Sequence, residues 1–264
     1  MRYPVALGFG LIALLAAAAA QAADKPACKP AALGTAQVRG VLDGRTVQLT
    51  DGREVRLAGI EVPQKHDGAA KVALESLVSG REVALLRLGA ESDRYGRVVA
   101  LVMVEPAAPE IGPSVQRALL AQGQARVAAN LGDSACATSL LEAERVARVG
   151  GLGLWADPYY VIRHAEDPAG ILAVRGRFAV VEGKVLSVRE SGATIYVNFG
   201  RRWSEDFTVT VQKRNQRSFT AAGLELKKLA GRHVRVRGTI EERGGPWIEA
   251  AAPEQIEIAE RGHE

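Results

Sequence analysis

Two hydrophobic periods divide the chain into segments. Residues 36–42 and 45–50 alternate or run apolar, and Asp43-Gly44 between them is a hairpin signal. Asp51-Gly52 marks a second turn, leading into 54–60. Apolar positions at helical spacing predict a helix over 69–78, strands follow at 82–87 and 97–104, and helical patterns return at 114–122 and 140–149. Strands first and helices after, with Gly and Asp turns keeping the strands close, predict a small closed barrel capped by helices.

Beyond residue 174 the strand period returns. Strands are predicted at 179–189, 194–199 and 207–211, a helix at 216–229, then strands at 233–240, 247–249 and 255–258. Three strands, a helix and two or three strands is the order of a second, smaller five-stranded barrel of oligonucleotide-binding (OB) type. The class predicted for the whole is mainly β with α (α+β). Glu166-Asp167-Pro168-Ala169-Gly170 reads as a linker, because composition changes across it. The expected organisation is an N-terminal segment at 23–35, a first domain at 36–164, a linker at 165–174 and a second domain at 175–260.

Charge sharpens that division. Residues 24–164 carry 17 Lys and Arg against 16 Asp and Glu, whereas 175–243 carry 15 against 7. The second domain is therefore the one suited to a polyanion. Aromatics make up only 5% of the chain, so aliphatic side chains must fill most of both cores. Four scattered histidines and two cysteines argue against a His-clustered metal site or a Cys-rich zinc site.

Arg2 precedes an apolar run over 5–20 that ends in Ala20-Gln21-Ala22. A positive start, an apolar middle and a small-x-small exit describe a signal peptide over 1–22, cut after Ala22. The run is shorter than the roughly 20 residues that span a bilayer. An exported protein, periplasmic or secreted and with no membrane span after cleavage, is expected. Export favours pairing of Cys28 with Cys136 over two unrelated buried thiols.

Several short motifs in the first domain are similar to those of the staphylococcal nuclease (thermonuclease) family. Val41-Leu42-Asp43-Gly44-Arg45-Thr46 resembles its I-D-G-D-T turn, and Arg56-Leu57-Ala58-Gly59-Ile60-Glu61-Val62-Pro63-Gln64 its R-L-x-x-I/V-D-T/A-P-E. Asp93-Arg94-Tyr95-Gly96-Arg97 is similar to D-x-Y-G-R. The run 118–125 resembles the N-x-x-L-v-x-x-G-x-A helix, and Leu154-Trp155 the closing L/I-W. The resemblance implies an OB barrel packed with helices and a Ca2+-dependent phosphodiesterase site.

The chemistry that the resemblance implies is retained unevenly. Arg56 and Arg97 match the two arginines that grip the phosphate and stabilise developing charge. The general-base position is Gln64, which cannot accept a proton near neutral pH. One ligand position is Arg45, a cation where Ca2+ requires oxygen, and the neighbouring Thr position is Val62. Asp43 and Glu61 keep carboxylates at metal positions. Arg45 is expected to take the electrostatic place of the metal and to balance Glu61 and a phosphate. Arg56 and Arg97 also admit a structural reading, in which Arg56 pairs with Glu61 or Glu54 and Arg97 holds Asp93. His66 and Asp67 stand near enough in sequence to replace the base.

In the second domain, Arg201 and Arg202, with Lys213 and Arg214, put cations beside Trp203, Tyr196 and Phe199, although Tyr and Phe on a strand more often face the core. That combination suits single-stranded nucleic acid or another polyanion. His233-Arg235-Arg237 reads either as part of that surface or as an ordinary solvated strand face. The expected protein is an exported, nuclease-like monomer that binds nucleic acid or another polyanion, its phosphodiesterase site impaired by loss of a metal ligand and the general base. An active hydrolase with altered metal use and an envelope interaction module are the alternatives.

Overall fold

The computed structural model describes residues 28, 30–105, 114–129, 131 and 134–259. The signal peptide expected at 1–22 lies outside them. The first unit opens with β1 (Ala31–Asp43), β2 (Thr46–Leu49), β3 (Glu54–Leu57) and β4 (Ile60–Glu61). Helix α1 (Asp67–Val78), β5 (Glu82–Ser92), β6 (Val98–Glu105), α2 (Val115–Ala121), β7 (Arg126–Val127) and α3 (Ser134–Val149) follow. Five strands close a barrel in the order β1-β2-β3-β6-β5. Strand alternation turns Val47, Leu49, Val55 and Leu57 inward, where they meet Leu74 of α1 and Leu119 of α2. This is the helix-capped OB barrel that the pattern predicts.

Strand β1 begins five residues earlier than expected, since Ala31–Gln37 pair with β5. Residues 31–35 therefore belong to the barrel and not to a separate N-terminal segment. The Cys28–Cys136 disulfide ties the chain just before β1 to α3, closing a separation of 108 residues.

The second unit holds β8 (Arg163–His164), α4 (Pro168–Leu172), β9 (Phe178–Lys184), β10 (Ser187–Ser191), β11 (Thr194–Asn198) and β12 (Thr208–Gln212). It continues with α5 (Gln216–Ala221), β13 (His233–Thr239), β14 (Glu241–Arg243), β15 (Gly245–Glu249) and β16 (Ile256–Ile258). The expected strand–helix–strand order is kept. Its ladders divide into two sheets, β10-β11-β12-β15-β14 and β16-β13-β9-β8, around one core that includes Ile195, Val209, Phe207, Phe219, Val236 and Ile248.

Two expectations are corrected here. The linker at 165–174 is structured: Asp167 caps α4 by accepting the Gly170 N–H at 2.9 Å, and Ile171 is fully buried in the second core. Its turn-rich composition signals a helix cap. The helix expected over 216–229 ends at Ala221, because Gly223 takes a left-handed φ of 79°, and a 3-10 turn covers Leu226–Leu229.

The units share a buried polar joint. Glu144 of α3 accepts the Val127 N–H at 2.6 Å and receives both terminal nitrogens of Arg237, each at 3.0 Å. Arg237 also pairs with Glu257 and donates to the Val127 carbonyl. Arg235 bonds Glu182 within its own sheet. The solvated-face reading of His233-Arg235-Arg237 is therefore wrong. Both arginines are buried, and Arg237 is locked against the first unit.

Candidate functional site

The candidate site is built on the outer face of the first barrel, starting at the β1–β2 turn. Asp43 closes that turn: Oδ1 accepts the Arg45 N–H at 2.9 Å and Oδ2 accepts the Thr46 hydroxyl at 3.0 Å. Asp67, the first residue of α1, accepts the Gly44 N–H at 3.0 Å and so ties the helix to the turn. Thr46 pairs with Arg56 across the β2–β3 ladder. Because Val55 and Leu57 point into the core, Arg56 must point out, beside Arg45 and close to Arg97.

Arg97 is held by a tight turn. Asp93 accepts the N–H groups of Tyr95 and Arg97 at 2.9 and 3.1 Å through Oδ1, and the Arg97 Nε at 2.8 Å through Oδ2. The hydrogen bond to Asp93 raises the Arg97 guanidinium above its ordinary value. Burial pushes the Asp93 carboxyl upward, but the Arg97 side chain and the two N–H donors outweigh it and hold Asp93 low. The structural reading of Arg97 thus describes a real contact, and that contact also aims the guanidinium.

Arg56 behaves differently. It pairs with neither Glu61 nor Glu54, and it makes no ion pair among the described residues; the same holds for Arg45. Desolvation lowers the Arg56 guanidinium, and the positive charges of Arg45 and Arg97 lower it further against the weaker pull of Asp93 and Asp43. A half-buried cation repelled by two other cations is a site that an anion would relieve.

The remaining positions lie apart. Glu61 faces Arg126 across the β4–β7 ladder and accepts its Nε and Nη2 at 3.2 and 2.9 Å. Arg126 in turn is flanked by the rings of Tyr160 and Phe178. The partner that balances Glu61 is therefore Arg126, and the expected balance by Arg45 is corrected. A cation 65 residues away is invisible to local motif reading. Val62 is buried. Gln64 is exposed in a 3-10 turn (Gln64–His66) and bonds none of the arginines. His66 lies 2.9 Å from Gln124 Oε1, and Asp67 is engaged with Gly44, so neither stands in as a free base.

The donor set does not suit the Ca2+ that the resemblance implies. Among the described residues no three His, Cys, Asp or Glu side chains gather around one point. Asp43 is committed to its turn and Glu61 to Arg126, whereas Ca2+ takes six to eight oxygen ligands.

On the second unit, Trp203 is 73% exposed, Arg202 pairs with Glu205 at 2.7 Å, and Arg201 lies beside Trp203. Lys213 pairs with Glu190 at 3.2 Å, and Arg214 is exposed in the adjoining 3-10 turn (Lys213–Asn215). Of the aromatics expected beside these cations, Trp203 and Tyr196 line one groove with Arg201 and Phe199 does not; sequence reasoning missed Arg189 and Trp247, which complete it. One signal for it was available: Ile195 and Val197 alternate with Tyr196, so Tyr196 leaves the core.

Comparison with known proteins agrees with the first barrel. Residues 54–157 match the family described as staphylococcal nuclease homologue. Protein ParB of Escherichia coli is 32% identical over 158 residues, a match that covers 56% of this chain and 88% of that protein. With Arg56 and Arg97 on the outside of an OB barrel and a relative matched over most of its length, the chain belongs to the staphylococcal nuclease homologue family.

Proposed function

We propose that this chain is an exported, monomeric, nuclease-like protein that grips the phosphates of nucleic acid, or of another polyanion, and hydrolyses phosphodiesters poorly. The observation that carries the proposal is the Arg56 guanidinium, which makes no ion pair among the described residues and is repelled by both Arg45 and Arg97. Arg56 and Arg97 would each place N–H donors against phosphate oxygens, with Asp93 fixing the orientation of Arg97. Arg45 adds a third positive charge at a position where a hydrolytic site of this family would need an oxygen ligand. Gln64 can orient a water molecule but cannot take its proton. A disulfide of the kind that persists in oxidising compartments supports export.

The test pairs binding with cleavage. Single-stranded DNA should bind equally well with Ca2+, Mg2+, Mn2+ or a chelator, and none of the metals should raise cleavage above background. Arg56→Ala should weaken binding and flatten its salt dependence by about 0.7 to 0.9 log units per log unit of salt, the contribution of one phosphate contact. Rapid Ca2+-dependent cleavage by the pure protein would overturn the proposal.

A further inference from the structure

A cavity on the second unit shares no lining residue with the Arg56 cluster. It is a groove of about 740 Å³ over the outer face of the five-stranded sheet. Register explains its lining. Ser187, Asn198, Thr208 and Trp247 form one cross-strand row, and Arg189 pairs with Tyr196 in the next. Ile195, Val197, Val209 and Ile248 alternate with them and fill the core below.

Three features of this groove point to one kind of ligand. The first is its aromatic wall. Tyr196 and Trp247 meet edge to face, 6.0 Å apart, while Trp203 stands exposed at the rim. The loop carrying Trp203 is fixed, since Asp206 Oδ2 accepts the Arg202 N–H at 2.7 Å and the Asp206 N–H bonds the Arg202 carbonyl at 2.7 Å. A large ring held in water by a braced loop is ready for stacking.

The second feature is charge. Arg189 and Arg201 line the groove without an ion pair among the described residues. Its one acidic side chain, Glu190, is bonded by Lys227 at 3.0 Å and Lys213 at 3.2 Å, and these contacts hold its carboxyl ionised and neutralised. The groove is therefore left with net positive charge. The third is unmet hydrogen bonding. Thr208 Oγ1 and Trp247 Nε1 are buried on the groove floor with no partner among the described residues, although Thr208 is only 2% exposed. Folded proteins seldom leave such atoms unsatisfied.

We infer that this groove binds one unstacked nucleotide of a single-stranded nucleic acid. The base stacks on Trp203 and the Tyr196–Trp247 wall, its polar edge faces the floor, and its phosphate faces Arg189 and Arg201. The volume falls within the range of small-molecule sites. This rests on the nucleic-acid reading of the protein but not on the arginine cluster of the first barrel, and the two can fail separately.

The test measures binding of a labelled dT oligonucleotide, and of an abasic oligonucleotide with the same phosphates, to the full chain. Trp203→Ala, at an exposed position, should weaken dT binding roughly tenfold, as loss of one stacked base does. The abasic strand should be insensitive to that change, and thymidine monophosphate should quench tryptophan fluorescence at lower concentration in the parent protein than in Trp203→Ala, where Trp247 alone reports from the groove. Equal binding of dT by parent and Trp203→Ala, or equal affinity for dT and abasic strands, overturns the inference. So does quenching by a neutral oligosaccharide without quenching by the nucleotide. Arg56→Ala separates the two sites: if it abolishes binding while Trp203→Ala does nothing, the barrel arginines stand and the groove falls. If the base-dependent part survives Arg56→Ala, the groove stands on its own.

Discussion

Arg56 shows at the scale of one residue how a binding site can work against the fold that carries it. Its charge is held half-buried beside two other cations, so removing it should relieve repulsion. Arg56→Gln is expected to raise stability to urea at low salt by up to about 1 kcal/mol while weakening polyanion binding. Urea titrations with and without pyrophosphate check both directions, since pyrophosphate should stabilise the parent protein and not the variant. Gly123 is constrained by space. It has a φ of 70°, and a Cβ there would lie 2.1 Å from the Leu152 carbonyl oxygen, a backbone atom that cannot swing aside. Gly123→Ala should cost more than about 2 kcal/mol, measured as a fall in the denaturation midpoint.

Elements explain why some local patterns misled. The strand at 36–42 was legible by its alternation, but the earlier half of β1, with its small residues Ala31, Ala32, Gly34 and Thr35, has little period of its own. It becomes a strand because β5 offers a ladder. Helix α2 is positioned by Gln116, whose amide accepts the Val102 N–H at 3.1 Å and donates to the Ala100 carbonyl at 2.8 Å, taking the place of a strand neighbour for β6. Gln116→Leu leaves those backbone groups buried without partners, and a loss of about 1–3 kcal/mol is expected from thermal unfolding. The disulfide acts on the same scale by tying the start of β1 to α3. Cys28→Ser with Cys136→Ser should remove up to about 4–5 kcal/mol, in the chain-entropy account of a loop this long, read from chemical denaturation.

For the whole molecule, the joint between the two units decides the behaviour in acid. Burial opposes ionisation of Glu144, yet the charge and hydrogen bonds of Arg237, the Val127 N–H and Arg148 overcome it and hold the carboxyl low. Burial likewise disfavours the Arg237 charge, and Glu144 with Glu257 more than restores it. A carboxyl whose folded value is depressed contributes stability above its unfolded value of about 4.3 and loses it as pH falls through the folded value. Arg237→Met should cost about 3–5 kcal/mol at neutral pH, because the buried Glu144 loses its two bonds to Arg237 and keeps only Arg148 and the Val127 N–H, while Glu257 loses its partner. Changing both residues to apolar ones should recover part of that loss and shift the acid unfolding limb, as read by circular dichroism against pH.

The sequence alone determined what neighbours along the chain can enforce. That includes the barrel strands with their Asp-Gly turns, the order of elements in the second unit, and family membership through contiguous motifs such as Asp93–Arg97. Only the tertiary structure decided the partners of charged groups: Arg126 for Glu61, Glu144 for Arg237, and, among the described residues, none for Arg56. It also decided that Arg189, Tyr196, Trp203 and Trp247 face one groove. The physical reason is that alternation and turn chemistry act over a few residues, whereas desolvating a charge must be compensated by whichever group the fold brings near, and strand register sets that across gaps of tens of residues.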